Sequence, residues 1–375
     1  MKFVFRKDLS IIMKKKIITV SLISLILTFA IILLLQITTK NTYAVSVGDT
    51  LVEYVKNESL GNSYVQNTGD GVYLTNGNEY RYVGAEPNNY VWFNNDMYRI
   101  IGVFDENSHG VKDENDNGVE LVKLIRSRIL NSTTWGTHNK NATGASYSGY
   151  TSNWTGNTTT TKTNLNILLN HFFLEDTTNN YGTCYDWTYY SNNQAYKTNN
   201  CSDILNYGIK ENSGLQDYIE TVTWYLKGYS SNAYSKQDFY LCERGQSEDT
   251  VNCGNGGTSG EYDSSTQEKI GLMYASDYLY ASGYIASDAT TTVSSTYHFG
   301  IKNWLLNSYE WTITAQANNA EYVYATEYDS KLVLKKTTSS FMYRPTFYLK
   351  SSVYVTGGDG SFDNPYTIAC DDCSD

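Results

Sequence analysis

Hydrophobic spacing along the chain alternates between a period of two and one near 3.6, and the changes mark the expected elements. β-Branched and aromatic residues fill positions 90–93 and 97–104 on either side of Asn94-Asn95-Asp96, which predicts a hairpin. Residues 119–126 predict a third strand after the acidic loop 105–118. Leu165, Leu168, Leu169, Phe172 and Phe173 recur at helical spacing and form one apolar stripe. A second amphipathic helix is expected over 214–227. Ser213 and Gln216 fit a capping box, Leu215, Tyr218, Ile219, Val222 and Leu226 supply the stripe, and Gly228 can end it. Strand patterning returns at 270–274, and Ser276 can cap a short helix running through Ala281. Runs at 311–314, 321–325, 332–334 and 342–349 then predict an antiparallel meander. Together these patterns give an α+β fold of mainly antiparallel strands, with two amphipathic helices and long loops.

The N-terminus departs from this pattern. Lys14, Lys15 and Lys16 precede an uncharged run over residues 17–37 that is near the length of a bilayer span. Small residues around Thr42-Tyr43-Ala44 suit a signal peptidase, so residues 1–44 read as either a cleaved signal peptide or an N-terminal membrane anchor. Either way, residues from 45 onward are expected outside the membrane. The domain plan is a lead-in segment at 45–85, a single α+β extracellular domain at 86–369 and an acidic tail at 370–375.

Charge and cysteine usage agree with export. The 375-residue chain has a net charge of −11, yet residues 1–44 hold seven basic residues and one acidic, leaving −17 on the remainder. Such an acidic body repels phosphate backbones, so no nucleic-acid partner is expected. Six cysteines fall in three local couples: Cys184 with Cys201, Cys242 with Cys253, and Cys370 with Cys373. Six thiols allow fifteen connectivities, and the local pairing is the one expected here because each couple brackets a polar loop. Cys370-Asp371-Asp372-Cys373 has redox spacing, but two central acids disfavour a reactive thiolate, so a structural pair is the expectation.

Candidate chemistry is sparse. The four histidines form no His-Glu-x-x-His pair and accompany no Gly-x-Ser-x-Gly elbow, so no catalytic residue is assigned. Asp113, Asn115 and Asn117, with Gly118 behind them, resemble the first half of a calcium loop. Leu124 stands where the bidentate Glu belongs, and an Asx-rich turn explains the same residues without an ion. Calcium is thus the sole cofactor candidate. The 35 Tyr and 7 Trp are the most suggestive excess. Trp154, Trp187, Tyr189 and Tyr190 lie in Asn-, Thr- and Ser-rich segments, where exposed rings could stack on sugar faces or cover a satellite core.

Several motifs also carry a resemblance. Tyr80-Arg81-Tyr82-Val83-Gly84, Asn88-Asn89-Tyr90 and Tyr98-Arg99-Ile100 open the series, and Lys162 stands before the Leu-rich helix. Leu241-Cys242-Glu243-Arg244, Lys269-Ile270-Gly271-Leu272 with Ser276-Asp277, and Trp311-Thr312-Ile313 follow. Arg344-Pro345, Gly357-Gly358-Asp359-Gly360 and Asn364-Pro365-Tyr366 close it. In this order, over about residues 70–369, they resemble a family of uncharacterised exported Gram-positive bacterial proteins. More distantly the arrangement is similar to C-type-lectin-like and formylglycine-generating-enzyme-like domains, which implies a fold and no activity. The expected function is an exported, cell-surface or secreted binding module for a glycan or a surface protein. It would touch membrane only through residues 17–37. A secreted hydrolase and a structural envelope protein are the alternatives.

Overall fold

The computed structural model describes residues 48–59, 70–75, 79–135, 154, 163–175, 186–191, 194–199, 202–229, 233–246, 253, 265–282, 293–294, 302–317, 319 and 321–373. The chain divides into two compact units, Met1–Ser46 and Val47–Asp375, and every described residue belongs to the second. Among the described residues no helix is long and apolar enough to cross a membrane, and the membrane-anchor expectation rests on none of them. Residues 17–37, on which that expectation fell, lie outside the described residues.

The lead-in segment joins the domain. Helix α1 (Leu51–Glu58) starts at a reciprocal Thr50–Glu53 capping box and buries Leu51, Val52, Tyr54 and Val55. Strands β1 (Gly71–Leu74) and β2 (Tyr80–Val83) follow. The predicted hairpin forms from β3 (Tyr90–Phe93) and β4 (Asp96–Phe104), with Asn94 and Asn95 both at φ 53°. Asparagine tolerates this left-handed backbone, and two such residues in succession match the right-handed twist of the flanking strands. After α2 (Glu106–His109) come β5 (Leu121–Arg126) and β6 (Leu130–Thr134).

The Leu-rich stripe forms α3 (Asn164–Ile167), which widens into a π-helical turn at Leu168–Phe173. Asn170 sits inside that turn. Its amide exchanges two hydrogen bonds with Ile270, donating to O at 2.8 Å and accepting from N at 2.9 Å, as a neighbouring strand would. Next in sequence are β7 (Asp186–Ser191), β8 (Gln194–Asn199) and α4 (Ser202–Tyr207). The helix expected over 214–227 does not form. Leu215–Tyr218 makes one 3-10 turn, and Val222–Tyr225 is strand β9. The run Val222-Thr223-Trp224-Tyr225 is β-branched and aromatic, alternates buried and half-buried, and finds an antiparallel partner in residues 265–268. Strand pairing therefore outweighs the weak helical stripe.

The remaining elements are β10 (Ala233–Tyr234), α5 (Lys236–Arg244), β11 (Ser265–Glu268), β12 (Ile270–Gly271), α6 (Ala275–Ala281) and β13 (Val293–Ser294). Then come β14 (Glu310–Ala315), β15 (Tyr322–Thr326), β16 (Leu332–Lys336), β17 (Ser340–Tyr343), β18 (Thr346–Leu349), β19 (Tyr354–Gly357) and β20 (Tyr366–Ala369). Six α-helices are thus present among the described residues, where two amphipathic helices were expected. The α+β class holds, but the sheets are mixed: β3 pairs parallel with β20, and β14 pairs parallel with β17.

Two sheets dominate. The larger runs β12-β18-β5-β4-β3-β20-β19, and the nine-residue β4 holds β5 on one edge while β3 and then β2 share the other. Gly102 lies where β2 arrives, and a Cβ there would sit 2.1 Å from the Tyr80 carbonyl oxygen. The second sheet runs β16-β15-β14-β17-β6. The strand expected at 342–349 is cut by Arg344-Pro345, so β17 belongs to one sheet and β18 to the other. Arg344 is buried at the crossing, where it donates to Glu310 Oε1 and to the Leu305 carbonyl, both at 2.7 Å.

Between these sheets lies a lattice of buried charge. Asp277 on α6 accepts from Arg81 Nη1 at 2.7 Å and from Lys123 Nζ at 2.6 Å, tying β2 and β5 to one carboxylate. Arg81 Nη2 also donates to Glu79 Oε2 at 2.8 Å, while the other Glu79 oxygen accepts from Ser108 and from Tyr240. Glu243 on α5 accepts from the Ser276 hydroxyl and from Thr314 Oγ1 of β14, each at 2.5 Å. Arg244 completes the ring by donating to Ser108 Oγ at 2.9 Å. Each of these ionic side chains is almost fully buried.

Replacing Asp277 with Ala leaves Arg81 and Lys123 charged, buried and short of their shared partner. The expected loss is about 3–5 kcal/mol of unfolding free energy, read from urea denaturation monitored by tryptophan fluorescence.

Candidate functional site

The lattice places its titratable groups where solvent cannot reach them. Burial would raise the Asp277 carboxyl, but Lys123 and Arg81 prevail and hold it well below the usual carboxylate range. Burial also pulls Lys123 down, to about 8, which still leaves the Lys123–Asp277 pair ionic at neutral pH. Glu243 is raised by burial, against the opposing effects of Arg244 and the Ser276 and Thr314 hydroxyls. His109 lies beside this group with its ring 5.3 Å from that of Tyr348. The amide of Val111 donates to its Nδ1 at 3.2 Å, so Nδ1 carries no proton and Nε2 donates to the Phe104 carbonyl at 3.1 Å. Burial holds this neutral ring at a pKa of about 4. Every one of these side chains is committed to another element, an arrangement that fixes helices against sheets.

The expected site residues scatter. Of the two readings of Trp154, a sugar-stacking ring or cover for a satellite core, its position fits the second: it is fully buried, packed edge-on against Trp135 at 5.5 Å. Its carbonyl accepts from the Thr163 hydroxyl at 3.1 Å at the start of α3, so the residue belongs to a satellite core. Trp187, Tyr189 and Tyr190 fall on β7, and their side chains lie outside the described residues. Asp113 closes a turn on itself. Its Oδ1 accepts from the Asn115 and Asn117 amides at 2.9 and 2.8 Å, and its Oδ2 accepts from the Asn117 side chain at 3.1 Å. The backbone amides of Asn115 and Asn117 and the Asn117 side-chain nitrogen thus donate to Asp113, the bonding of an Asx-rich turn. Among the described residues no group of three or more His, Cys, Asp or Glu could hold a metal.

Two of the three expected disulfides are formed, Cys242–Cys253 and Cys370–Cys373. Cys184 and Cys201 lie outside the described residues.

Pattern reading missed a different aromatic site. Tyr328 is 69% exposed at the tip of the β15–β16 hairpin, and its ring stands 5.2 Å from that of Tyr309 at an interplanar angle of 65°. Phe341 underlies Tyr309 at 5.6 Å. The tip is rigid. Glu327 N donates to Lys331 O at 3.0 Å, Ser330 N to Glu327 O at 2.8 Å, and Tyr278 Oη reaches out from the core to Ser330 O at 3.1 Å. Ser330 adopts φ 71° to close the turn. Lys331 pairs with Asp329 and Lys335 with Glu327, each at 2.5 Å, so the four charges around the rings cancel. The available signal was an aromatic residue inside a charged turn, Glu327-Tyr328-Asp329-Ser330-Lys331, where packing gives a Tyr no reason to stand.

Other large exposed rings among the described residues are Trp92 on β3, Tyr207 at the end of α4, and Phe362, the last packed on Tyr90 at 5.4 Å. A pocket of about 290 Å³ opens beside α1, but Lys56 bridges both Glu120 oxygens across it. The chain matches no family model, no curated protein and no solved structure.

His109 supplies a pH test with a definite sign. The unfolded chain takes up a proton near pH 6.5, and the folded ring does so only near 4. Stability is therefore full above about pH 6.5 and falls as pH drops towards 4, by on the order of 3 kcal/mol. His109→Gln keeps a donor and an acceptor but cannot titrate. Urea midpoints measured from pH 7 to pH 4 should lose most of their slope in this variant.

Proposed function

We propose that the chain is an exported, extracellular binding module of a bacterial surface, and that its ligand is a neutral glycan held at the Tyr309–Tyr328 tip. One observation carries this reading: an exposed aromatic pair fixed on a hairpin whose backbone is hydrogen-bonded to the core. Tyrosine rings offer a flat apolar surface to the C–H face of a sugar at little cost in side-chain entropy. Glu327, Asp329, Lys331 and Lys335 stand around those rings as hydroxyl acceptors and donors. Their mutual pairing leaves the tip without net charge, which suits an uncharged polysaccharide better than an anionic one. Export is supported by the basic-then-apolar leader pattern and by the two cross-links, since disulfides persist in oxidising compartments.

The test is an array of neutral and acidic polysaccharides probed with the full chain. Binding to a neutral glycan is expected, and Tyr328→Ala should weaken it on the order of tenfold, about 1.4 kcal/mol, with an unchanged melting temperature. A Trp92→Ala control should bind as the parent does. Equal binding by parent and Tyr328→Ala would remove the tip from the reading. Binding confined to acidic glycans would remove the neutral ligand.

A further inference from the structure

Cys370 and Cys373 serve neither the ionic lattice nor the aromatic tip. Their bridge spans a sequence separation of 3, so it constrains the unfolded chain far less than Cys242–Cys253, with a separation of 11, does. Its two ends are unequally exposed. Cys373 is buried at 3% exposure, whereas Cys370, just beyond β20, is only half-buried. In the other bridge Cys242 and Cys253 are both buried.

The surroundings of the pair are built from a separate part of the chain. A turn closed by Val353 N donating to Lys350 O at 3.1 Å carries Ser352 against the bridge. The Ser352 Oγ lies 3.3 Å from Cys370 Sγ and 3.7 Å from Cys373 Sγ. Disulfide sulfurs have no hydrogen to give, so the hydroxyl is the donor in both contacts. Lys350 Nζ donates to the Cys373 carbonyl at 2.9 Å and sets a cation beside the buried cysteine. Both groups favour a developing thiolate. Asp371 and Asp372 act in the opposite sense, although the Asp371 carboxylate is drawn onto the Tyr354 hydroxyl at 3.0 Å. This balance keeps the pair bridged at rest and requires the incoming group to supply the nucleophile.

We propose that Cys370–Cys373 is a thiol–disulfide exchange site that takes two electrons from a dithiol on a partner polypeptide. A thiolate of the dithiol attacks the accessible Cys370 Sγ and forms a mixed disulfide. The Cys370–Cys373 bond breaks and Cys373 leaves as a thiolate, which the Ser352 hydroxyl stabilises. The partner's second thiol, once deprotonated, attacks its own sulfur in the mixed disulfide and expels Cys370 as a thiolate. The partner is oxidised to a disulfide, this pair is reduced to two thiols, and the two protons lost by the dithiol balance the two gained here.

The experiment incubates the folded full chain with a synthetic two-cysteine peptide, quenches with acid and alkylating agent, and maps each cysteine by mass spectrometry. One equivalent of peptide should be oxidised while Cys370 and Cys373 open, with Cys242–Cys253 still closed and the far-UV spectrum unchanged. Ser352→Ala should slow the exchange about fivefold, the worth of one hydrogen bond. Cys373→Ser treated with oxidised glutathione should carry the adduct on Cys370. Opening at the same rate in Ser352→Ala would mark the bridge as merely exposed and overturn the proposal. So would simultaneous opening of both bridges, or a bridge that stays closed until the protein unfolds.

Discussion

Asp277 sits beyond the reach of water, and two cations from different strands meet it there. That constraint organises the domain. Arg81 fixes the position of β2, Lys123 fixes β5, and the helix bearing Asp277 must lie between them and β14. The second carboxylate, Glu243, repeats the device by bonding both the start of α6 and Thr314. A well-packed apolar interior of the same volume could be as stable. What the ionic version adds is a penalty for every misplaced arrangement, because each alternative strands a charge away from solvent.

Much of this framework was visible in the sequence in disguised form. The Asn94-Asn95 turn and its flanking strands needed only local chemistry. Arg81, Arg244, Asp277 and Arg344, each inside a motif the sequence singles out, have side chains that are buried ion partners. Their meaning was not readable, because a strand-borne Arg looks the same whether it meets solvent or a distant carboxylate. Lys123, set in Leu121-Val122-Lys123-Leu124-Ile125, was the clearest missed signal: a charge inside an apolar run needs a partner. The second predicted helix failed for a different reason. Helical spacing at 215–226 competed with a β-rich tetrapeptide, and the pairing that decided the outcome came from residues 265–268.

The surface follows other rules. Trp154 left two readings open because its neighbours are polar, and its burial fits the one in which a ring of that size in a long polar segment is drawn inward. Tyr328 looked ordinary and is held outward by a turn whose hydrogen bonds reach the core through Tyr278. Aromatic count alone therefore does not separate a ring drawn into the core from one held at the surface. A backbone already hydrogen-bonded to the core spares any bound group the cost of ordering it on contact.

The order of strands in the larger sheet has a consequence for biogenesis. Val91 lies opposite Tyr366 and Lys123 opposite Tyr348, so strands made early stand beside strands made last. A chain threaded N-terminus first through a translocation channel cannot complete its central sheet until almost all of it has emerged. Until then Arg81 and Lys123 wait in water, where their charges cost nothing, and the apolar faces of β4 and β5 wait beside them. Were the chain exported unfolded, it would cross before its central sheet could close, and the hazard would fall after arrival, when unpaired edges depend on a folding helper or on dilution.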